Sequence, residues 1–118
     1  MTVRFCGGPR PSPGLLSRSM PYHVYMMANR WNTVLYIGMT DELARRAWEH
    51  RTGYYPEAFT WTYQCLKLVW IEEHEDGVSA ATRERQMKEW KREWKEKLVK
   101  EMNPTWQDIS PAYEPPTE

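Results

Sequence analysis

Apolar residues along the chain form three short runs with the character of strands. The runs Tyr22 to Ala28, Thr33 to Ile37 and Tyr63 to Glu73 are rich in aromatic and apolar side chains, which favours buried strands. Asn29 to Asn32 supplies turn residues between the first two runs. These two strands are therefore predicted to form a hairpin.

A helix is predicted over residues 41–52, directly after the second run. Thr40 is a good N-cap, and Gly53 stands where a helix usually ends. Gly38 predicts a tight turn that leads from the strand into the helix. Four residues at helical spacing share one face: Leu43, Arg46, Ala47 and His50. This face combines apolar contacts with a guanidinium that can hold phosphate oxygens and an imidazole that can exchange a proton near neutral pH.

A second helical stretch begins at Asp76 or Gly77 and ends before Pro104. Its apolar stripe consists of Ala80, Met87, Trp90, Trp94, Leu98 and Met102. The pattern fits one helix or two helices that meet near Trp90 to Trp94. The order of strands and helices predicts an α+β domain, in which helices cover a small antiparallel sheet.

Residues 53–61 are predicted to form a loop that carries several aromatic side chains. These are Tyr54, Tyr55, Phe59 and Trp61. Aromatic residues in a loop usually pack beneath it, and a base-stacking surface is the less common alternative.

The length and composition fit one small domain with loose ends. The 118 residues are 41% hydrophobic, with seven Trp and seven Tyr, which provides enough apolar bulk for a core. Proline-rich residues 1–20 predict a disordered tail, with Met20 as an alternative start of translation. The folded domain is expected over 21–110 and a flexible tail over 111–118.

Charge and cysteine content narrow the class of protein. The formal net charge is +0, so no global attraction to nucleic acid or membrane is expected, but residues 83–100 hold eight bases against four acids. Cys6 and Cys65 fit no zinc or CxxC spacing, which favours a reduced, cytoplasmic protein. No stretch has the length of a membrane span or the pattern of a secretory signal.

A carboxylate and two phenols are the remaining candidates for chemistry. Glu84 lies on the apolar stripe, where a carboxylate is costly unless it pairs, for example with Lys88, or binds a hard cation such as Mg²⁺. Tyr25 and Tyr36 are expected to lie close together on one face of the hairpin. Alone they would be core aromatics. Near a cation and the Arg and His above, they are candidates for activating water, as phosphodiester hydrolysis requires.

Two short motifs resemble those of the GIY-YIG nuclease family, specifically its small, single-domain, excinuclease-like bacterial members. His23-Val24-Tyr25 is similar to the first half-motif and Tyr36-Ile37-Gly38 to the second, at the usual separation. Arg46 matches the family's catalytic arginine, and His50 matches a frequent family histidine. The chain departs from the pattern at His23, where the family has Gly.

Two further segments extend this resemblance over residues 21–110. Thr82 to Lys88 resembles the segment with the family's metal-binding glutamate, which is Glu84 here. Met102 to Trp106 resembles the closing motif, in which Asn103 would support the metal site from its second shell.

The resemblance implies a three-stranded antiparallel sheet flanked by helices and cleavage of DNA phosphodiesters with one Mg²⁺ or Mn²⁺. Glu84 would hold the metal, and Arg46 would stabilise the transition state. Tyr36 or Tyr25, together with His50, would deprotonate or orient the attacking water. The resemblance does not choose between the two tyrosines.

Two functions from different classes follow. The first is a DNA endonuclease, in repair or recombination, and the second is a nucleic-acid-binding module that keeps the fold without cleaving. Four basic residues are candidates for contacts to the phosphate backbone: Lys88, Lys91, Arg92 and Lys95. The alternative for this basic run is a solvated helix face with ion pairs one turn apart.

Overall fold

The structure is a computed structural model, and it describes residues 21–115. These residues form, in chain order, β1 Tyr22–Ala28, β2 Leu35–Thr40, α1 Leu43–Thr52, α2 Phe59–Thr62, β3 Lys67–His74, α3 Gly77–Lys88 and α4 Arg92–Met102. The α+β class, the antiparallel sheet and the element order are confirmed, with the short α2 added inside the predicted loop. The predicted tail over 1–20 and residues 116–118 lie outside the described residues.

The sheet has the order β2-β1-β3, and β1 pairs antiparallel with both neighbours. Tyr25 lies opposite Gly38 on β2 and Ile71 on β3, while Met26 lies opposite Ile37 and Trp70. Because successive side chains of a strand point to opposite faces, β1 contributes to two separate cores.

The two cores lie on opposite faces of the sheet. The larger one packs β1 against α3 and α4, and contains Val24, Met26, Ala28, Ile37, Val69, Trp70, Ala80, Met87, Val99 and Trp106. The smaller one packs β1 against α1, and contains Tyr25, Met27, Ala47, Cys65 and Leu68. The phenol of Tyr25 therefore belongs to the core under α1.

The prediction of a glycine turn at the end of β2 is wrong. Gly38 lies inside β2, which continues to Thr40, and α1 starts at Leu43. The Thr40 hydroxyl accepts a hydrogen bond from the Glu42 backbone N–H at 2.9 Å, so it stabilises the connection rather than capping the helix. Gly53 ends α1 in the left-handed conformation with φ +72°, as predicted.

The second helical stretch is two helices, and the change of direction between them alters which side chains are buried. Asp76 caps α3 by accepting a hydrogen bond from the Ser79 backbone N–H at 2.8 Å. Met87 on α3 is fully buried, but Trp94 and Met102 on α4 are about half exposed. The predicted apolar stripe continues past α3 only in part: Trp90 and Leu98 pack against the larger core, whereas Trp94 and Met102 do not belong to it.

The segment after α4 lies along β3 and α1. The Ile109 backbone N–H donates to the Leu68 carbonyl at 2.8 Å. Tyr113 lies within the predicted flexible tail, and its ring centroid is 5.6 Å from that of Trp48 on α1.

Among residues 21–115, none of the helices combines the length and the apolar character that a membrane crossing needs.

Candidate active site

The absence of a side chain at Gly38 makes room for Tyr25. A Cβ atom at Gly38 would lie 2.5 Å from the Tyr25 Oη, 2.7 Å from its Cζ and 3.0 Å from Tyr36 Cε2. Such distances are too short for atoms that are not bonded. Glycine is needed at this position because two tyrosine rings cross over the strand, not because the backbone turns.

His50 connects Tyr25 to α2. Its Nε2 lies 2.9 Å from Tyr25 Oη, and its Nδ1 lies 2.6 Å from Thr60 Oγ1. Burial, with a smaller contribution from the charge of Arg46, lowers the pKa of His50 to about 4. The imidazole is therefore neutral at pH 7, with one nitrogen as donor and the other as acceptor.

The two tyrosines differ in their access to solvent. Tyr25 is 1% exposed, and burial, followed by the neighbouring Tyr36, raises its pKa well above the usual value, although Arg46 opposes the shift. Tyr36 is only partly buried. Its ring centroid lies 6.2 Å from that of Tyr25 and 5.4 Å from that of His50. Tyr36 is therefore the phenol that a solvent molecule or substrate can reach.

Arg46 lies one helical turn before His50, at the more exposed side of this group. Its Nη1 donates to Glu49 Oε1 at 2.8 Å, and its side chain is 34% exposed. Its Cζ atom lies 5.8 Å from the ring centroid of Tyr55. The structure thus brings together the predicted residues Tyr25, Tyr36, Arg46 and His50, and we call these four residues the tyrosine–histidine cluster.

Two residues of this site were not predicted. Glu49 fixes Arg46, and the spacing of three residues on one helix was a signal for this pair. Thr60 is buried and bonds His50 from α2. Its sequence context contains no pattern that would single it out, because the contact depends on how α2 folds against α1.

Glu84 lies on α3, which packs on the opposite face of the sheet and contacts both β1 and β2. Its carboxylate pairs with Lys88 Nζ at 2.9 Å, and its side chain is 21% exposed. The hydrogen bonds and ion pairs within the described part of the chain do not join Glu84 to the tyrosine–histidine cluster. The structure therefore contains the ion pair that the sequence offered as the alternative to a metal site.

A single carboxylate is compatible with Mg²⁺, which takes one or two protein carboxylates and completes its shell with water and phosphate oxygens. The pair with Lys88 is partly exposed, and pairs of this kind contribute little stability, so a cation can displace the ammonium group. In the described ranges, no three His, Cys, Asp or Glu side chains form a cluster that would hold a metal. Glu84 thus has the chemistry of a Mg²⁺ ligand, and binding of a metal by it stays a prediction.

Comparison with known families decides the class of this fold. The model of the GIY-YIG catalytic domain matches residues 21–97 of the 118. The chain belongs to the GIY-YIG family. No curated protein and no solved structure matches it. Membership gives the chain a nuclease-type fold and implies that it binds nucleic acid.

Asn103 has a structural role in this GIY-YIG domain. Its Nδ2 donates to the carbonyls of Val69 at 3.1 Å and Gln107 at 2.7 Å, and its Oδ1 accepts from the Gln107 backbone N–H at 3.1 Å. These bonds hold the end of α4 against β3. They do not reach Glu84, and support of the metal site from its second shell stays a prediction.

The four predicted phosphate-binding residues of the GIY-YIG domain have different environments. Arg92 donates to the carbonyls of Asn32 at 2.6 Å and Thr33 at 2.9 Å, so it holds the β1–β2 turn. Partial burial, and then the charge of Arg92, lowers the pKa of Lys95. The exposed residues of the set are Lys88 and Lys91. Binding of phosphate by this set stays a prediction, for which Lys88 and Lys91 are the better placed.

Proposed function

We propose that this GIY-YIG protein is a metal-dependent endonuclease that hydrolyses phosphodiester bonds of DNA. The observation that carries the proposal is the tyrosine–histidine cluster. Within it, a neutral His50 bonds the buried Tyr25 at 2.9 Å, and the partly exposed Tyr36 and Arg46 lie at the accessible side. A group built only for packing would not need a buried imidazole beside an arginine.

Tyr36 is the phenol that contacts the attacking water in this proposal. Tyr25 is buried and has a raised pKa, so it stays protonated and serves to fix His50. His50 is neutral at pH 7, and its two ring nitrogens are engaged by Tyr25 Oη and Thr60 Oγ1, so it holds Tyr25 in place beside the Tyr36 ring instead of acting as a free base. Tyr36 thus orients the water, while the pair of Tyr25 and His50 keeps the geometry fixed.

Arg46 stabilises the negative charge that develops on the phosphate oxygens. Glu49 holds the guanidinium through Nη1, which reduces the number of conformations that must be ordered when the substrate binds. A guanidinium in a partly water-excluded site stabilises such charge far better than one in bulk water.

Glu84 is the residue that would hold Mg²⁺ or Mn²⁺, with Asn103 as the supporting residue. A cation held there would supply positive charge to stabilise the negative charge on the leaving oxygen. Lys88 would then lose its carboxylate partner and become available to a backbone phosphate, together with Lys91, Arg92 and Lys95.

The test is cleavage of a panel of labelled single-stranded, duplex, flap and branched DNAs and matching RNAs. Each substrate is incubated with Mg²⁺, with Mn²⁺ and with chelator. The parent is compared with Glu84→Gln and with the control Glu101→Gln, which removes an exposed carboxylate at the end of α4. Cleavage that needs metal and is lost only in Glu84→Gln supports the proposal. Binding without cleavage under every metal would favour the binding module instead.

A further inference from the structure

We propose that Phe59 and Tyr63 form a stacking surface for an unpaired base next to the cleaved phosphodiester. The preferred substrate then carries single-stranded nucleotides at the cleavage position. This inference rests on the proposed nuclease function, and it adds the class of substrate that the same site selects.

The connection between α1 and β3 exposes an unusual amount of aromatic surface. Four side chains are roughly half exposed: Tyr54 at 57%, Tyr55 at 47%, Phe59 at 45% and Tyr63 at 51%. The expectation that aromatic residues of this connection pack beneath it is therefore wrong for most of them. Trp61 is the exception, because its indole is partly buried against Gly53.

Phe59 and Tyr63 continue the tyrosine–histidine cluster outward. The Phe59 ring centroid lies 5.8 Å from that of Tyr36, with the planes tilted by 30°. The Tyr63 centroid lies 4.5 Å from that of Phe59, with a tilt of 38°. Because these two residues are four positions apart on α2 and its end, they form a row that leads from Tyr36 to the exposed surface.

This row starts at Tyr36, which contacts the attacking water in the proposed mechanism. A nucleic-acid base is therefore the occupant that the position of the row favours. A phosphate held at Tyr36 lies close to the row, because the Phe59 ring centroid is 5.8 Å from that of Tyr36. Proteins that bind single strands hold successive bases on aromatic rings, without sequence preference. Bases inside a duplex have both faces covered by their neighbours, so only an unpaired base can stack here. A second aromatic ring, Tyr55, flanks Arg46 at 5.8 Å.

The test measures binding in chelator, so that it does not depend on cleavage. Fluorescence anisotropy gives the affinities of the parent, Tyr63→Ala and Phe59→Ala for single-stranded and fully duplex DNA. Trp31→Ala is the control, because it removes a side chain that is 66% exposed on the β1–β2 turn. Thermal unfolding of each variant checks that the fold is intact. If Phe59→Ala disturbs Tyr36, Phe59→Trp is used in addition, because it keeps an aromatic face for stacking at this position.

We expect Tyr63→Ala to lose about tenfold in affinity for single strands, and little for duplex DNA, as stacking of one base predicts. Trp31→Ala should bind like the parent. An abasic residue, moved along the single strand, should weaken binding to the parent at one position by a similar factor. Tyr63→Ala should be insensitive to the abasic residue at that position.

Equal losses on single strands and duplexes, no loss in Tyr63→Ala, or no position sensitive to an abasic residue would overturn the inference. The row would then be a candidate surface for a protein partner. Base-dependent binding without cleavage of any substrate would sustain the stacking surface for an unpaired base while refuting the nuclease. Cleavage of intact duplexes at the same rate by the parent and by Tyr63→Ala would refute this inference while supporting the nuclease.

Discussion

Substitution of Gly38 by alanine tests how tightly the strand and the tyrosines fit. The added Cβ would lie 2.5 Å from the Tyr25 Oη and 2.7 Å from its Cζ. Ordinary contacts need about 3.5 Å, so the phenol must move by about 1 Å. Tyr25 is 1% exposed and bonded to His50, so a shift of its phenol disturbs this hydrogen bond inside the core.

The expected loss of stability follows from these contacts. Overpacking of a core costs about 1–3 kcal/mol, and the strained hydrogen bond between Tyr25 and His50 adds about 1 kcal/mol. We therefore expect Gly38→Ala to lower the free energy of unfolding by about 2–4 kcal/mol. Cleavage should fall by about a hundredfold, because a displacement of 1 Å near the reacting atoms has effects of this size.

Urea unfolding measures the stability, and single-turnover cleavage measures the rate. Gly77→Ala is the milder comparison, because its Cβ would lie 3.2 Å from the Tyr22 ring, which then has to shift by only a few tenths of an ångström. Tyr25→Phe removes the oxygen that lies 2.5 Å from the new Cβ, so the double variant should recover part of the loss. A Gly38→Ala protein within about 0.5 kcal/mol of the parent would show that Tyr25 moves aside without strain, since ordinary surface substitutions have effects of that size.

Three further predictions concern the supports of the site. Relative to His50→Gln, the parent should lose about 3 kcal/mol in its free energy of unfolding between pH 7 and pH 4. The pKa of His50 is about 4 in the folded protein and 6.5 in the unfolded chain, so the unfolded state binds more protons in this window. Equal pH profiles in urea unfolding would contradict this. Thr60→Val should cost about 1–3 kcal/mol, because it leaves a buried imidazole nitrogen unpaired, and Thr60→Ser should keep most of the stability in the same assay. Arg92→Ala should lower the free energy of unfolding by about 1 kcal/mol, whereas Lys91→Ala should weaken DNA binding with little change in stability. Weaker DNA binding in Arg92→Ala at unchanged stability would instead assign Arg92 to the DNA.

Sequence patterns predicted most of the fold because they report local periodicity. β1 was placed at its observed bounds, since a continuous apolar run is what a central strand buried on both faces requires. The shared face of α1 correctly carries Ala47 and His50 into the core. Single residues also predicted the start of α3 at Asp76 and the end of α1 at Gly53.

The features that were missed depend on contacts between distant segments. The sequence pattern predicts a turn at Gly38, because the actual role of this glycine appears only when the strand register places it opposite Tyr25. Thr60 contacts His50 only through the packing of α2 on α1. The bonds of Arg92 to the β1–β2 turn connect residues 59 and 60 positions apart, so no local pattern indicates them, and its contact to phosphate stays a prediction.

The tyrosine–histidine cluster is the group that we propose to cleave phosphodiester bonds. The most direct measurement is the single-turnover rate on labelled DNA with Mg²⁺, for the parent, Arg46→Ala and the neighbouring control Arg45→Ala, whose side chain is 51% exposed. We predict metal-dependent cleavage by the parent, a loss of about a hundredfold or more in Arg46→Ala, and near-parent rates in Arg45→Ala. No cleavage by the parent, or equal rates for the parent and Arg46→Ala, would contradict the account.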